Sequence, residues 1–523
     1  NLDCTVEQVG GLGLAWAEPL VDITLPGGPR IFYGNVTPEK VRAIVESHIA
    51  KGQPLAELAL GGLGDGLPQG IASLAEHPAM RLQKRIALRN AGTVVPGDVH
   101  QYIASGGFQA LHKALTEMTP DKVREEVVKS GLRGRGGAGF PTGVKWNFLA
   151  RSPGPVKYIL ANCEEGDPGS FNDQGILDSD PLTLVEGVTI AGYATGATYG
   201  YVFLRQGHVG PIQRTWRAIE EARAAGLLGV NILGSSFSFD VEVALTGDSY
   251  IAGEETAMME VIEGKRAMPR YRPPFPAQAG LFGKPTNINN IKTMSYVPEI
   301  VRNGGEWFAG IGTEKSKGTV LLCLSGHITR PGLVELPLGL TLRQVIEEVG
   351  GGVPGGKRLK LLQTGGPLGG VLIAEKLDLL LDFEAMGAAG AILGSGGFVA
   401  ANEDTCVVDL TRELVSFCQF ESCGKCFPCR MGMSHLLEIM ERITTFQGTP
   451  DDLALLKTVG HNMQASSLCG HGQLGFNPVA SALRYFPEEF EQHIVEKRCP
   501  TGKCLEPHIV PVRTHRGPVT VAG

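Results

Sequence analysis

The chain has 523 residues, 43% of them hydrophobic and 19% charged, with a formal net charge of -7. That length exceeds a single core and implies three or four domains. The acidic balance excludes a general nucleic-acid surface, so partners are to be sought among small molecules and proteins.

Taken in chain order, the opening residues NLDCTVEQ carry no basic segment followed by an apolar one, so no signal peptide is expected. Pro19 to Leu25 alternates apolar and polar residues, turns at Gly27 and Gly28, and pairs with IFYG. A helix then begins at Thr37 and Pro38 with Val41, Ile44, Val45 and His48 at helical spacing. Residues 61–117 mix glycine, proline and amphipathic pieces, and read as a linker that wraps the next domain. TPDKVREEVVKS places Thr119 as N-cap and Pro120 at the first helical position, with Val123, Val127 and Val128 on one face.

The stretch GLRGRGGAGFPTGVKWNFL contains a literal G-x-G-x-x-G at Gly134, Gly136 and Gly139. A dinucleotide turn requires a strand before the glycines, and here a helix precedes them. Pro141 and Thr142 then interrupt the chain, so the stretch reads as an irregular glycine-rich surface. VKYILANCEEGDPGSFNDQ follows as a strand ending in Asn162, Glu164, Glu165 and Asp167. Carboxylates at a strand's carboxyl end repel bare phosphate and accept hydrogen bonds from sugar hydroxyls or a carboxamide. YGYVFLR and TWRAIEEARAAG continue an α/β alternation with parallel strands expected. Tyr250, Glu254, Glu255, Phe275, Asn289 and Asn290 add further polar and aromatic groups to this region.

From residue 316 to 400, GTVLLCLSGHI, GLVELPLG, LTLRQVIEEVGGG and RLKLLQTGG alternate strands around one helix, the size of a β-grasp module. Two apolar stretches, Gly187 to Leu204 and Ala385 to Asn402, approach membrane-spanning length. Glycines interrupt both and no basic cluster flanks them, so both read as buried core and no membrane span is expected. Beyond residue 401, MSHLLEIMERI, DDLALLKTVGHNM and VASALRYF each show a 3.6-residue period and predict a helical bundle to about residue 490.

Eleven cysteines are unevenly placed, with Cys418, Cys423, Cys426, Cys429, Cys469, Cys499 and Cys504 near the C-terminus. Such clustering without a secretion signal reads as metal binding before disulfides. ESCGKCFPCRMG sets Cys423, Cys426 and Cys429 at C-x2-C-x2-C, and Cys469 follows in SSLCGHG. Three close thiolates and one remote thiolate are the ligand pattern of a [4Fe-4S] cluster, with tetrahedral zinc as the competitor. Cys418, His493, Cys499 and Cys504 form a candidate Cys3His zinc set, against the alternative of free thiols on a tail spanning 491–523. Cys4, Cys163, Cys323 and Cys406 read as small buried hydrophobes.

GRGGAGFPTGVKW, NCEEGDPGSFNDQ, GEETA, RPPFPA, GLFGKPTNINN and ESCGKCFPCRMG occur in this order. Together they resemble the NADH-oxidising flavoprotein subunit of respiratory complex I and its soluble relatives, over about residues 118 to 487. The resemblance implies a multidomain α/β protein: a Rossmann-like FMN and NAD domain at 118–315, a β-grasp domain at 316–400 and a helical [4Fe-4S] bundle at 401–490. It implies FMN contacts from Gly134, Arg135, Gly136, Gly137, Lys145, Asn162, Glu164, Tyr250, Gly253, Glu254, Asn289 and Asn290. Glu164 stands where aspartate is usual, which lengthens its reach. For NAD the resemblance implies Phe140, Phe148, Glu165, Glu255 and Phe275. No protein acid or base is required for hydride transfer by the flavin.

GLGLAWAEPLVDI is similar to the end of a thioredoxin-like domain fused to some relatives, here a partial domain over residues 1–60 without its cluster cysteines. On that segment the chain looks like the beta subunit of molybdenum- or tungsten-dependent NAD formate dehydrogenase. The implied function is a cytoplasmic diaphorase enzyme module, partnered by NAD(H) and by an iron-sulfur and molybdenum or tungsten subunit. The C-terminal HIVEKRCPTGKC looks more like diaphorase subunits of electron-bifurcating hydrogenases, so a hydrogenase or complex I subunit is the alternative. A relay subunit that has lost NAD binding is a further alternative, as is a zinc-stabilised nucleotide-binding scaffold.

Overall fold

The computed structural model describes residues 4–504, so the last part of the expected tail, 505–523, lies outside the described residues. Near the N-terminus, β1 (Val21–Thr24), β2 (Arg30–Tyr33) and β3 (Ala59–Leu63) form an antiparallel sheet in the order β1-β2-β3. The helix Pro38–Ile44 starts where the Thr37 side chain accepts a hydrogen bond from Lys40 N. Because β3 completes this sheet and Leu74 and Ala79 share a core with Phe32, the N-terminal unit runs beyond residue 60.

The segment that follows is wedged between units. Residues 86–88 donate their backbone N–H groups to the buried carboxylate of Glu335, at 2.9, 3.2 and 2.9 Å. Tyr102 and Leu111 are buried in the main core, and the helices Val99–Ala104 and Gln109–Glu117 carry them there.

The central unit has a parallel sheet in the order β6-β5-β4-β7, built from β4 (Tyr158–Cys163), β5 (Tyr199–Arg205), β6 (Asp240–Thr246) and β7 (Thr286–Asn290). The chain runs from β4 outward to β5 and β6, then returns to β7 on the other side of β4. The carboxyl ends of β4 and β7 therefore flank a topological switch point, where such sheets open a crevice for ligands. The apolar stretch Gly187 to Leu204 is the end of the buried helix Pro181–Thr195 followed by β5, as core.

The third unit is a five-stranded sheet in the order β11-β10-β12-β8-β9. Its strands are β8 (Thr319–Gly326), β9 (Gly332–Pro337), β10 (Leu359–Thr364), β11 (Val371–Ile373) and β12 (Gly397–Asn402), and β8 and β12 run parallel. The C-terminal unit packs the helices Val407–Phe420, Phe427–Thr444, Pro450–Ser466, Asn477–Tyr485 and Pro487–Ile494 around Val415, Leu436, Met440 and Phe490. Among the described residues no helix is long and apolar enough to cross a membrane.

Candidate functional site

The glycine stretch is entered from the helix Pro120–Lys129, as its Thr119 cap and buried Val123 and Val127 require. A helix, Thr142–Arg151, does open after Pro141, where the sequence suggested only an interruption. The intervening loop lies on the crevice between β4 and β7. A side chain on Gly136 would place its Cβ 2.9 Å from Asn290 Cβ, so only glycine lets this backbone approach so closely. Gly134 N donates to Phe140 O, and Gly137 bridges to Gly394 of the third unit.

The Arg135 side chain is a correction to the sequence reading. It is 3% exposed, and its guanidinium donates to the carbonyls of Arg133, Lys317 and Thr319. Those three acceptors take one donor from each guanidinium nitrogen and burial closes off the rest, so the side chain staples the loop.

At the carboxyl end of β4, Asn162 donates from Nδ2 to Gly253 O at 2.8 Å and accepts from Glu164 N at 3.1 Å. Asn290 donates to Asp173 at 2.7 Å and to Asn162 O at 3.3 Å. Asn289 is turned inward, where its Oδ1 accepts from Trp146 Nε1 and Asn287 Nδ2. Burial pushes the Glu164 carboxyl up to about 8 against the pull of the Arg205 guanidinium, 3.2 Å away. Burial and the adjacent Asp173 also raise Glu165, whose oxygens accept from Asp173 N and Gln174 N at the start of the helix Asn172–Ser179. Glu165 thus caps this helix start while remaining half-buried, with a left-handed φ of 43° that the two hydrogen bonds hold.

Phe140, Phe148 and Phe275 are 48%, 51% and 55% exposed. Exposed aromatics on a rim have unspent stacking surface. The Ser152 hydroxyl hydrogen-bonds Phe148 O and Ala277 O, so the helix that carries Lys145 and Phe148 is fastened to the loop that carries Phe275. Lys145 pairs with Glu255. Glu254 pairs with Arg272 and accepts from Thr256 N and Ala257 N, capping the helix Glu255–Ile262. The two carboxylates are therefore partly neutralised in place.

Tyr250 joins this crevice to a second cavity. Its ring packs against Phe417 and His471, at centroid distances of 5.4 and 5.7 Å. His471 lines a small cavity together with Cys423, Cys426, Cys429 and Cys469. Cys426 and Cys469 are the N-caps of the helices Phe427–Thr444 and Gly470–Leu474, so loop and helix ends deliver four sulfurs from different directions. Burial pushes the Cys429 thiol up to about 12 and Cys469 up to about 11, with neighbouring cysteines adding repulsion to both. Four cysteine sulfurs brought to one cavity from separate segments are a donor set that fits an iron-sulfur cluster.

The C-terminal set differs from expectation in one ligand. Among the described residues, Cys406, His493, Cys499 and Cys504 have ligand atoms all within 4.8 Å of one another, and the four cavity cysteines do not form such a set. Cys418 is not among them: it is fully buried near Tyr250, and its carbonyl binds His471 Nε2 at 2.7 Å. Cys406, expected to be inert, takes its place from the N-cap of the helix Val407–Phe420. Cys406 Sγ lies 3.6 Å from Cys504 Sγ and 3.5 Å from His493 Nε2. Zinc with tetrahedral thiolate and imidazole ligands needs about 3.8 Å between sulfurs and about 3.5 Å between sulfur and nitrogen, from its bond lengths. His493 Nδ1 binds Glu489 O at 2.7 Å, which aims Nε2 at the sulfurs. The Cys504 thiol, then His493, hold Cys406 well below the usual thiol range. Burial works against a charged His493, but its hydrogen bonds to Cys406 and the Glu489 carbonyl raise it to about 9. The tighter set suits a single ion, and the wider cavity set suits a larger cluster.

Comparison with known proteins agrees with this geometry. Residues 127–299 match the Nuo51 FMN-binding domain, 321–372 the SLBB domain, and 409–493 the NADH-ubiquinone oxidoreductase-F iron-sulfur binding region. The chain is 46% identical over 431 residues to NADP-reducing hydrogenase subunit HndC of Solidesulfovibrio fructosivorans, covering 82% of this chain and 88% of that one. It is 44% identical over 415 residues to an F-type subunit of the NADH-quinone oxidoreductase of Rhizobium meliloti, covering 79% and 99%. A chain of NAD+-reducing [NiFe]-hydrogenase in the H2-reduced state superposes with a TM-score of 0.68 at 28% identity, covering 89% of this chain and 74% of that one.

Proposed function

Starting from the fact that this chain belongs to the family of the NADH-quinone oxidoreductase F-type subunits and hydrogenase subunit HndC, we propose that it is a cytoplasmic diaphorase module. It exchanges electrons between NAD(H) and a [4Fe-4S] cluster through FMN. The observation that carries this reading is the junction at Tyr250, one side of which is the glycine-floored crevice and the other the four-cysteine cavity. Bound FMN would supply the conversion between hydride exchange and single-electron transfer.

The chain's own residues bind and orient. The backbone of Gly134 to Gly137, Lys145, Asn162, Glu164, Asn290, Gly253 and Tyr250 would hold the flavin, with Asn289 and Glu254 supporting them from behind. Phe140, Phe148 and Phe275 would stack the dinucleotide, and Glu255 and Glu165 would meet its sugar and amide groups. Cys423, Cys426, Cys429 and Cys469 would hold the cluster. Cys406, His493, Cys499 and Cys504 would hold one zinc ion and fasten the C-terminus to the bundle.

For the electron source we propose a formate-oxidising subunit with molybdenum or tungsten, on the strength of the N-terminal GLGLAWAEPLVDI segment. The similarity to HndC and the Cys/His set near the C-terminus favour a hydrogenase as the second reading. Anaerobic NADH titration of the purified protein tests the module: flavin bands should bleach and a reduced-cluster EPR signal should grow. Absence of either signal refutes it. The sequences of co-purified subunits decide between formate and hydrogen.

A further inference from the structure

Oxidation of NADH to NAD+ yields two electrons and one proton as a hydride, and an iron-sulfur cluster accepts electrons singly without the proton. For every NADH oxidised by two such one-electron transfers, one proton must therefore leave the crevice, and in reverse one must enter. Two carboxyls stand at the end of β4, Glu164 buried and Glu165 half-buried, and the structure distinguishes them. Both Glu165 oxygens are occupied by the helix start at Asp173 and Gln174. Glu164 uses one oxygen to accept from Gly166 N at 3.0 Å, and its Oε1 is buried without a hydrogen-bond partner among the described residues.

The surroundings of Glu164 are built closely around it. A Cβ on Gly166 would lie 2.7 Å from Oε1, and one on Gly253 would lie 3.0 Å from Oε2, so two glycine backbones clasp the carboxyl. Arg205, at the end of β5, sits 3.2 Å from Oε1 and 3.5 Å from the Asp248 carboxylate. Glu164 is 4% exposed and Asp248 77% exposed, so this file runs from the crevice to solvent. The other groups facing Glu164 are Asp167 on its own loop, Glu421 after the helix Val407–Phe420, and Tyr250.

We propose that Glu164 is the proton-exchange group of the crevice: as electrons depart singly it yields its proton to solvent water at the Asp248 end of the Glu164, Arg205, Asp248 file, and the ionised carboxylate then takes up the proton the electrons leave behind. Arg205 keeps its own proton throughout and holds the two carboxylates in line. A carboxyl that ionises near 8 is balanced between its two forms close to neutrality, which suits a group that must both take and give. The proposal rests on the reading of this crevice as the flavin site.

The test is a spectroelectrochemical titration of the flavin in the holoprotein at a series of pH values. Reduction adds negative charge beside Glu164 and raises its proton affinity. Wild-type midpoint potential should therefore fall more steeply with pH from about pH 8 upward, because reduction there takes up an extra proton. Glu164→Gln should lose that break and Glu164→Asp should restore one at a shifted pH. A break retained in Glu164→Gln, or none in wild type, overturns the proposal. A wild-type protein without flavin absorbance instead refutes the flavin reading itself. Should Glu164→Gln not hold flavin, Asp248→Asn decides: proton release followed with a pH indicator should lag reoxidation of the reduced flavin by a one-electron acceptor by several-fold, and unaltered release overturns the file.

Discussion

Gly136→Ala tests the crevice at its tightest point. The added Cβ would stand 2.9 Å from Asn290 Cβ and 3.6 Å from Asn290 Cγ. Carbon contacts are comfortable at about 3.5 to 4.0 Å, so loop or asparagine must retreat by roughly 0.6 to 1 Å. Neither is free to do so. Asn290 is bound to Asp173 and Asn162, and the loop is pinned through Arg135. Gly136 is not in the left-handed region, so alanine adds bulk without backbone strain. Overpacking of this kind costs about 1 to 3 kcal/mol, which corresponds to roughly 5- to 150-fold weaker FMN binding if the site alone absorbs it. The assay is fluorescence-quenching titration of deflavinated protein with FMN. Gly247→Ala, with nothing within 4 Å of its added Cβ, is the control and should bind as wild type. Equal affinity in Gly136→Ala and wild type would refute the placement of the flavin on this loop.

Phe148→Ala removes one exposed rim aromatic and should raise the KM for NADH roughly 2- to 12-fold, the equivalent of about 0.5 to 1.5 kcal/mol of stacking; unchanged KM in both this variant and Glu165→Gln would sink the dinucleotide assignment. Elemental analysis should find one zinc per chain, much reduced in Cys406→Ser and retained in Cys418→Ser; the reverse pattern would restore Cys418 as ligand. Burial opposes the charge on Glu263, but Lys265 and Arg270 hold its carboxyl down at about 2. A folded-state value below the unfolded one stabilises above about pH 4.5 and is lost as pH falls toward 2. Glu263→Gln should therefore show a shallower fall of Tm across that window, and an unchanged acid limb would contradict the pairing.

Much of the site could be read from residue order because its chemistry is local. The C-x2-C-x2-C spacing fixes three thiols within seven residues, and the carboxyl end of VKYILAN presents Asn162 and Glu164 by strand geometry alone. What escaped depended on contacts between distant segments. Arg135 stood among the flavin contacts that the family resemblance implies, and only the fold reveals the Lys317 and Thr319 carbonyls that claim its side chain. Cys406 and Cys418 lie on one helix and are both buried, so spacing cannot say which meets His493. Nothing in the N-terminal motif showed that β3 belongs to that sheet, because its pairing with β2 closes a long loop. His471 was hidden for the same reason, since its value comes from Tyr250, more than two hundred positions away.

The buried Arg135 guanidinium bears on how fast the crevice can be filled. A glycine-rich loop left to itself would have to be ordered by its ligand, at about 1 to 2 kcal/mol for each residue fixed. Here three chain carbonyls, a Thr293 hydroxyl that receives Arg135 N, and the bridge from Gly137 to Gly394 have already fixed it during folding. A receptor shaped in advance captures its ligand in one bimolecular step, without a slow rearrangement afterwards. Protein stripped of flavin should accordingly refill with a rate that rises linearly with FMN concentration and shows no plateau.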